Sequence, residues 1–139
     1  MDERLTHLSF IQAIITRMGN NSFLLKGWSV TLVAAIFALS SKDSNHLLVL
    51  LAYFPVLVFW GLDAFFLHQE KLFRKLYQEV AEGRISSVHL SLNTNPVKNS
   101  VESIYQVALS KTLLSFHGII VGVVLLATIL LFPPCHSMP

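Results

Sequence analysis

The sequence predicts an all-α integral membrane protein, with an N-terminal amphipathic helix and three transmembrane helices, the second and third extended into the cytoplasm. Three observations carry this. Charged residues make up 13% of the chain and hydrophobic residues 53%, whereas ordinary soluble domains carry about 25% charged residues. Mean hydropathy is +0.60. The apolar residues gather in runs at 23–41, 47–67 and 113–132, each near the roughly 20 residues that carry a helix across a bilayer core. The 139 residues are expected to form one membrane domain.

Residues 2–18 come first. Leu5, Leu8, Ile11, Ile15 and Met18 recur at helical spacing, with Phe10 and Ile14 widening the stripe. Asp2, Glu3, Arg4, Gln12 and Arg17 take most of the other side. This is an amphipathic helix with acidic residues at its positive end. It is too polar to span, so it lies on the membrane surface or packs on another helix. Gly19-Asn20-Asn21-Ser22 is expected to end it and to cap the next helix.

The first span, 23–41, carries Lys26 and Trp28. Ala38-Leu39-Ser40 resembles a signal-peptide cleavage site, but the 22 residues of mixed charge before Phe23 argue against a signal peptide. The short loop 41–46 makes a helical hairpin with the second span, 47–67. Pro55 removes one backbone hydrogen bond there and predicts a bend. The helix then runs on without a turn signal to Glu82. Leu72, Phe73, Leu76, Tyr77 and Val80 form an apolar stripe on this extension. Glu70–Arg74 and Lys75–Glu79 are oppositely charged pairs at i,i+4. The stripe must meet another helix, and the sequence offers residues 100–112 and neighbouring subunits as its partners.

Residues 83–99 form the connector. Residues 88–92 alternate in polarity, as in a short strand, although a lone strand needs a partner. Asn99 followed by Glu102 fits a capping-box-like start for a cytoplasmic helix over 100–112 that continues into the third span, 113–132. Val101, Ile104, Tyr105, Ala108 and Leu109 share one face of that helix. Pro133-Pro134 stops it, and 133–139 is a tail.

Arg4 and Arg17 precede the first span and Lys26 lies near its start, and six basic residues lie among four glutamates between positions 70 and 111. The 41–46 loop has only Lys42. The positive-inside rule therefore predicts a multi-pass protein of the bacterial inner membrane, with the N-terminus and 68–112 cytoplasmic and the C-terminus periplasmic or outside. Trp28 and Trp60 then sit at one level, as interfacial aromatics.

Asp63 is the only carboxylate inside an apolar run, and such a charge is costly unless paired or hydrated. Lys26 and His117 fall at a similar depth on the other two spans. The three are expected to form an intramembrane polar cluster that fixes helix packing or handles protons. Gly118 and Gly122 make a GxxxG sequence, a helix-packing face of small residues. Cys135-His136-Ser137-Met138 offers soft ligand atoms, but a terminal scrap is the plainer reading. The lone cysteine excludes an intrachain disulfide. No phosphate loop, metal-ligand spacing or triad appears with its supporting context. Ser115, His117 and Asp63 lack the sequence surroundings of an intramembrane hydrolase. The sequence thus assigns no catalytic residue, no metal and no cofactor, and the net charge of +2 points to no nucleic-acid partner.

Three pieces of the chain, 23–39, 53–77 and 110–122, together resemble the RipA family of small octameric bacterial membrane proteins. The distinctive parts are Lys26-Gly27-Trp28, Phe59-Trp60 with Asp63 and the following Gln69-Glu70 and Arg74, and Phe116-His117-Gly118. The resemblance implies an inner-membrane homo-oligomer, an octamer, linked to bacterial growth inside host cells, and it brings no catalytic residues. Residues 83–98 and the Cys135 tail look least like the family. The function expected is non-enzymatic, a homo-oligomeric scaffold or pore-like assembly whose partners are the lipid bilayer and itself. The alternative is an ion-conducting channel or a pore-forming defence effector similar to SLATT-type domains, which also pair two spans with flanking cytoplasmic helices.

Overall fold

In the computed structural model, residues 2–43 and 46–132 are described. The tail with Pro133-Pro134 and the Cys135–Met138 group lies outside them, as do two residues of the 41–46 loop. The elements are α1 (Glu3–Asp43), α2 (His46–Leu51), α3 (Tyr53–Ala81), a 3-10 helix (Asn95–Ser100), α4 (Ile104–Ala108) and α5 (Lys111–Leu131). No strand occurs among the described residues, so 88–92 is a turn and irregular chain rather than a strand. Three helical stretches, Glu3–Lys42, His46–Ala81 and Lys111–Leu131, are long and apolar enough to cross a membrane.

The expected break at Gly19–Ser22 is absent. α1 is a single helix of 41 residues, roughly 62 Å long at 1.5 Å per residue. The sequence Gly-Asn-Asn-Ser favours a break locally, but packing overrides that preference. Gly19 approaches Glu70 of α3, and Ser22 bonds Asp63 of the same helix. Each turn of this stretch is therefore held from the side, and helical propensity alone no longer decides.

The interruption at the second span is where proline requires it. Pro55 has no N–H for the Leu51 carbonyl, and the run of helical hydrogen bonds is interrupted at Ala52, although its φ of −62° and ψ of −25° stay helical. Ala52 N–H is shared between Leu48 O (3.2 Å) and Val49 O (3.1 Å), and Val56 N–H reaches Ala52 O at 3.4 Å. The loosened turn is confined to this point, and the helix resumes to Ala81. It ends at Gly83, whose φ of 76° is open to glycine without strain. Gly83 N–H bonds Val80 O (3.1 Å) and Arg84 N–H bonds Glu79 O (2.9 Å), the pattern of a Schellman stop. Arg84 then clasps the last turn: its Nε and Nη2 meet Glu79 at 2.5 and 2.8 Å, and it also pairs with Glu82.

α1 and α3 run antiparallel over nearly their whole length and hold two apolar cores. One joins Ile11 and Ile15 of α1 to Leu76 and Val80 of α3 and to Val97 of the 3-10 helix, with Leu8, Phe73, Tyr77 and Ile85 around it. The other joins Val33, Ala52 and Val56 to Ile120 and Val124 of α5, with Ile36, Phe37, Tyr53, Phe116 and Val121 around it. The second core lies within the apolar runs and the first beyond them.

This corrects the expectation for the stripe. Leu72, Leu76 and Val80 are buried within the chain, and α1 supplies the Ile11/Ile15 face that covers Leu76 and Val80. They are not left over for assembly. The 100–112 helix is likewise not continuous with the third span. Residues 101–103 and 109–110 interrupt it. The capping box is Ser103 with Gln106 rather than Asn99 with Glu102. α4 packs only Val107 inward; Tyr105 is 80% and Leu109 66% exposed, so the expected shared face does not exist.

Candidate functional site

Between the two cores lies a polar cluster contributed by all three long helices. Asp63 of α3 is fully buried. Its Oδ1 accepts from the Ser22 hydroxyl of α1. Its Oδ2 faces Lys26 Nζ of α1 at 2.5 Å and His117 Nε2 of α5 at 2.8 Å. Lys26 also donates to Ser22 Oγ at 2.9 Å. Ser22 and Lys26 are one helical turn apart, so α1 presents both to the same carboxylate.

The carboxylate fixes the hydrogen positions. An acceptor-only oxygen requires a proton on His117 Nε2. His117 Nδ1 is buried and has no partner among the described residues, and the same is true of Ser29 Oγ. The His117 ring stacks on Trp60 with centroids 5.8 Å apart and planes 7° from parallel. Phe116 meets it edge-on at 5.1 Å and lies 5.8 Å beneath the Lys26 ammonium. Burial makes each of these partners matter. A buried ion pair gives little net stability, but removing one partner strands the others.

Lys26, Asp63 and His117 are thus brought together as the sequence predicts. Ser22 is a further member that the sequence hides, because Gly19-Asn20-Asn21-Ser22 reads as a helix boundary. Trp28 is 59% exposed and fits an interfacial position. Trp60 is half-buried: its Nε1 donates to Ala108 O at 2.9 Å and its ring stacks on His117. Gly118 and Gly122 have no atom within 4 Å of an added Cβ. The core-facing side of α5 is instead formed by Leu113, His117, Ile120 and Val124. The glycines therefore lie on the side of α5 away from its own chain.

Ser115, His117 and Asp63 do not form a nucleophilic set. Ser115 Oγ is exposed and donates to Lys111 O at 2.5 Å, while the imidazole is engaged by Asp63. No group of three or more His, Cys, Asp or Glu able to hold a metal occurs among the described residues. The cluster can bind three helices to one another and retain a proton between Asp63 and His117.

A second polar site was not anticipated. His7 of α1 is fully buried. Its Nδ1 meets Ser87 Oγ at 3.0 Å and its Nε2 meets Ser91 O at 2.7 Å. Between those two serines Leu90 adopts a φ of 46°, a strained conformation for a leucine. The left-handed turn brings both oxygens onto one imidazole and ties the connector to α1. Nothing local in the sequence marks this, since the partners are 80 and 84 residues away.

Comparison of the chain with family models, with curated proteins and with solved structures finds no match. The class that the fold defines is an all-helical protein with three helices able to cross a membrane. Its internal polar cluster joins those three helices at one level.

Proposed function

We propose that the chain is a non-enzymatic, homo-oligomeric protein of the bacterial inner membrane, forming a scaffold or pore-like assembly, with its N-terminus and the 68–112 region in the cytoplasm. One observation carries the oligomeric reading. Gly118 and Gly122 sit in the middle of an apolar helix, where each costs about 1 kcal/mol relative to alanine, and neither has a close neighbour from its own chain. In a bilayer, small residues one turn apart let a second helix approach closely. The resemblance to octameric RipA-family proteins supports eight as the number of subunits.

The polar cluster is read as structural. Asp63 and His117 are fully buried and packed, which suits a helix lock better than a hydrolytic site. The basic residues of the connector support the orientation.

Intact-complex mass in lipid nanodiscs tests the assembly. The wild-type chain is expected as a closed multiple of the protomer, and the Gly118→Leu/Gly122→Leu variant as smaller species. Leucine raises helix propensity at these open positions, so loss of assembly would not reflect unfolding. A monomeric wild type, or an unchanged complex in the variant, would remove the proposal. Conductance of the reconstituted complex in planar bilayers separates a pore from a scaffold.

A further inference from the structure

We propose that the cavity between the start of the extramembrane part of α3, the 3-10 helix and α4 binds a phosphate group, supplied by the headgroup of an anionic phospholipid. This rests on the membrane reading above. The cavity measures about 500 Å³, and its polar wall includes His68, Lys98, Asn99, Glu102, Tyr105 and Gln106. That volume lies in the range of small-molecule sites.

Its position favours a lipid. His68 directly follows Leu67, the last residue of the second apolar run. The Trp60–Ala108 hydrogen bond ties the end of α4 to α3 on the apolar side of His68, and Lys111 opens α5 just after it. A headgroup reaches this depth without leaving the bilayer. Exposed Leu109 offers apolar surface on the neighbouring turn of chain for the glycerol end.

Its chemistry favours an anion. Neither His68 nor Lys98 has a hydrogen-bond or ion-pair partner among the described residues. The other basic groups nearby are already paired: Lys71 with Glu102 at 3.3 Å, Arg74 with Glu70 at 2.7 Å, and Lys75 with Glu79 at 3.1 Å. The Lys71 pair also neutralises Glu102, the carboxylate on the cavity wall. The side-chain oxygen of Gln106 accepts from Ser103 N–H, which leaves its amide N–H groups free. With the Asn99 amide and the Tyr105 hydroxyl, the wall offers several donors, and its one carboxylate is ion-paired. Phosphate oxygens accept hydrogen bonds and carry negative charge, and they match that inventory.

The test uses full-length protein. Liposome flotation comes first: a chain that fails to float refutes the membrane reading and the site with it. Protein from nanodiscs of mixed phosphatidylcholine and phosphatidylglycerol is then measured by native mass spectrometry. Selective retention of phosphatidylglycerol is expected, reduced about fivefold for Lys98→Ala and further for His68→Ala/Lys98→Ala, as befits about 1 kcal/mol per basic residue at an anionic surface. Lys98→Arg and Lys42→Ala are expected to retain the lipid. Equal retention by the double variant, or no preference over phosphatidylcholine, overturns the site while leaving the membrane reading intact. Complete displacement by inorganic phosphate overturns the lipid as the source.

Discussion

Replacing Gly19 with alanine tests whether α1 is one helix. Glycine inside a helix is about 0.5–1 kcal/mol worse than alanine. Gly19 lies near the middle of α1. A Cβ built there meets the Glu70 Oε2 atom at 3.6 Å, an ordinary contact with the end of a flexible side chain. No steric cost offsets the gain, so Gly19→Ala is expected to stabilise the protein by about 0.5–1 kcal/mol. If the chain instead stopped at Gly19 in a left-handed conformation, alanine would cost about 1–2 kcal/mol. The sign decides between the two. Gly83 gives the opposite control. Its φ is 76° and nothing lies within 4 Å of an added Cβ, so Gly83→Ala is expected to destabilise through conformation alone. Reversible unfolding in mixed detergent micelles, followed by circular dichroism, reads both midpoints. A lower midpoint for Gly19→Ala refutes the continuous helix, and an unmoved midpoint for Gly83→Ala refutes the glycine stop.

Asp63→Ala strands His117 in a fully buried site, whereas Lys26, with a side chain 20% exposed, can turn toward water. The expected loss is about 2–4 kcal/mol; the same unfolding assay would show a change below about 0.5 kcal/mol if the cluster is not a lock. Leu76→Ala opens a hole between α1 and α3 and is expected to cost about 2–5 kcal/mol and to speed proteolysis of residues 3–18. The mass of the nanodisc complex should stay the same, and its collapse would return the stripe to the subunit interface. The hydrogen bonds of Arg84 and then Lys75 hold the Glu79 carboxyl at about 2, below its ordinary 4.5. A lowered value stabilises the fold above pH 4.5, and the contribution fades as pH falls toward 2. Glu79→Gln should flatten thermal stability across that window, although Glu82, also held low by Gln78 and Arg84, retains some slope. Parallel pH profiles for variant and wild type would contradict this account.

Periodicity and length made the three long apolar helices legible, together with the interruption near Pro55 and the stop at Gly83. Depth along those helices also placed Lys26, Asp63 and His117 together, because an unpaired charge in an apolar run must find a partner at its own level. Other features were less accessible. The stripe at Leu76 and Val80 shows that a face is buried without saying against what: the sequence points to residues 100–112 and neighbouring subunits, whereas Ile11 and Ile15 of α1 cover it. Gly19–Ser22 carries every local mark of a helix end, and only its packing against Glu70 and Asp63 reverses the reading. Asn99 with Glu102 and Ser103 with Gln106 are both capping signatures, four residues apart. The structure uses the second, where Ser103 Oγ accepts from Gln106 N–H at 3.3 Å. His7 looks like any polar residue of a surface helix.

The antiparallel register of α1 and α3 sets an order of assembly. Pairs near the hairpin tip are close in sequence, the Ser22–Asp63 pair is 41 residues apart, and the His7–Ser91 pair 84. Each pair that closes shortens the loop remaining for the next, so the entropy of closure is met in small steps rather than at once. The hairpin therefore zips from its tip, through the Asp63 level, toward the Ile11–Val80 core. The His7–Ser91 contact, with its 84-residue separation, is the one that costs most to close alone and depends most on the pairs formed before it.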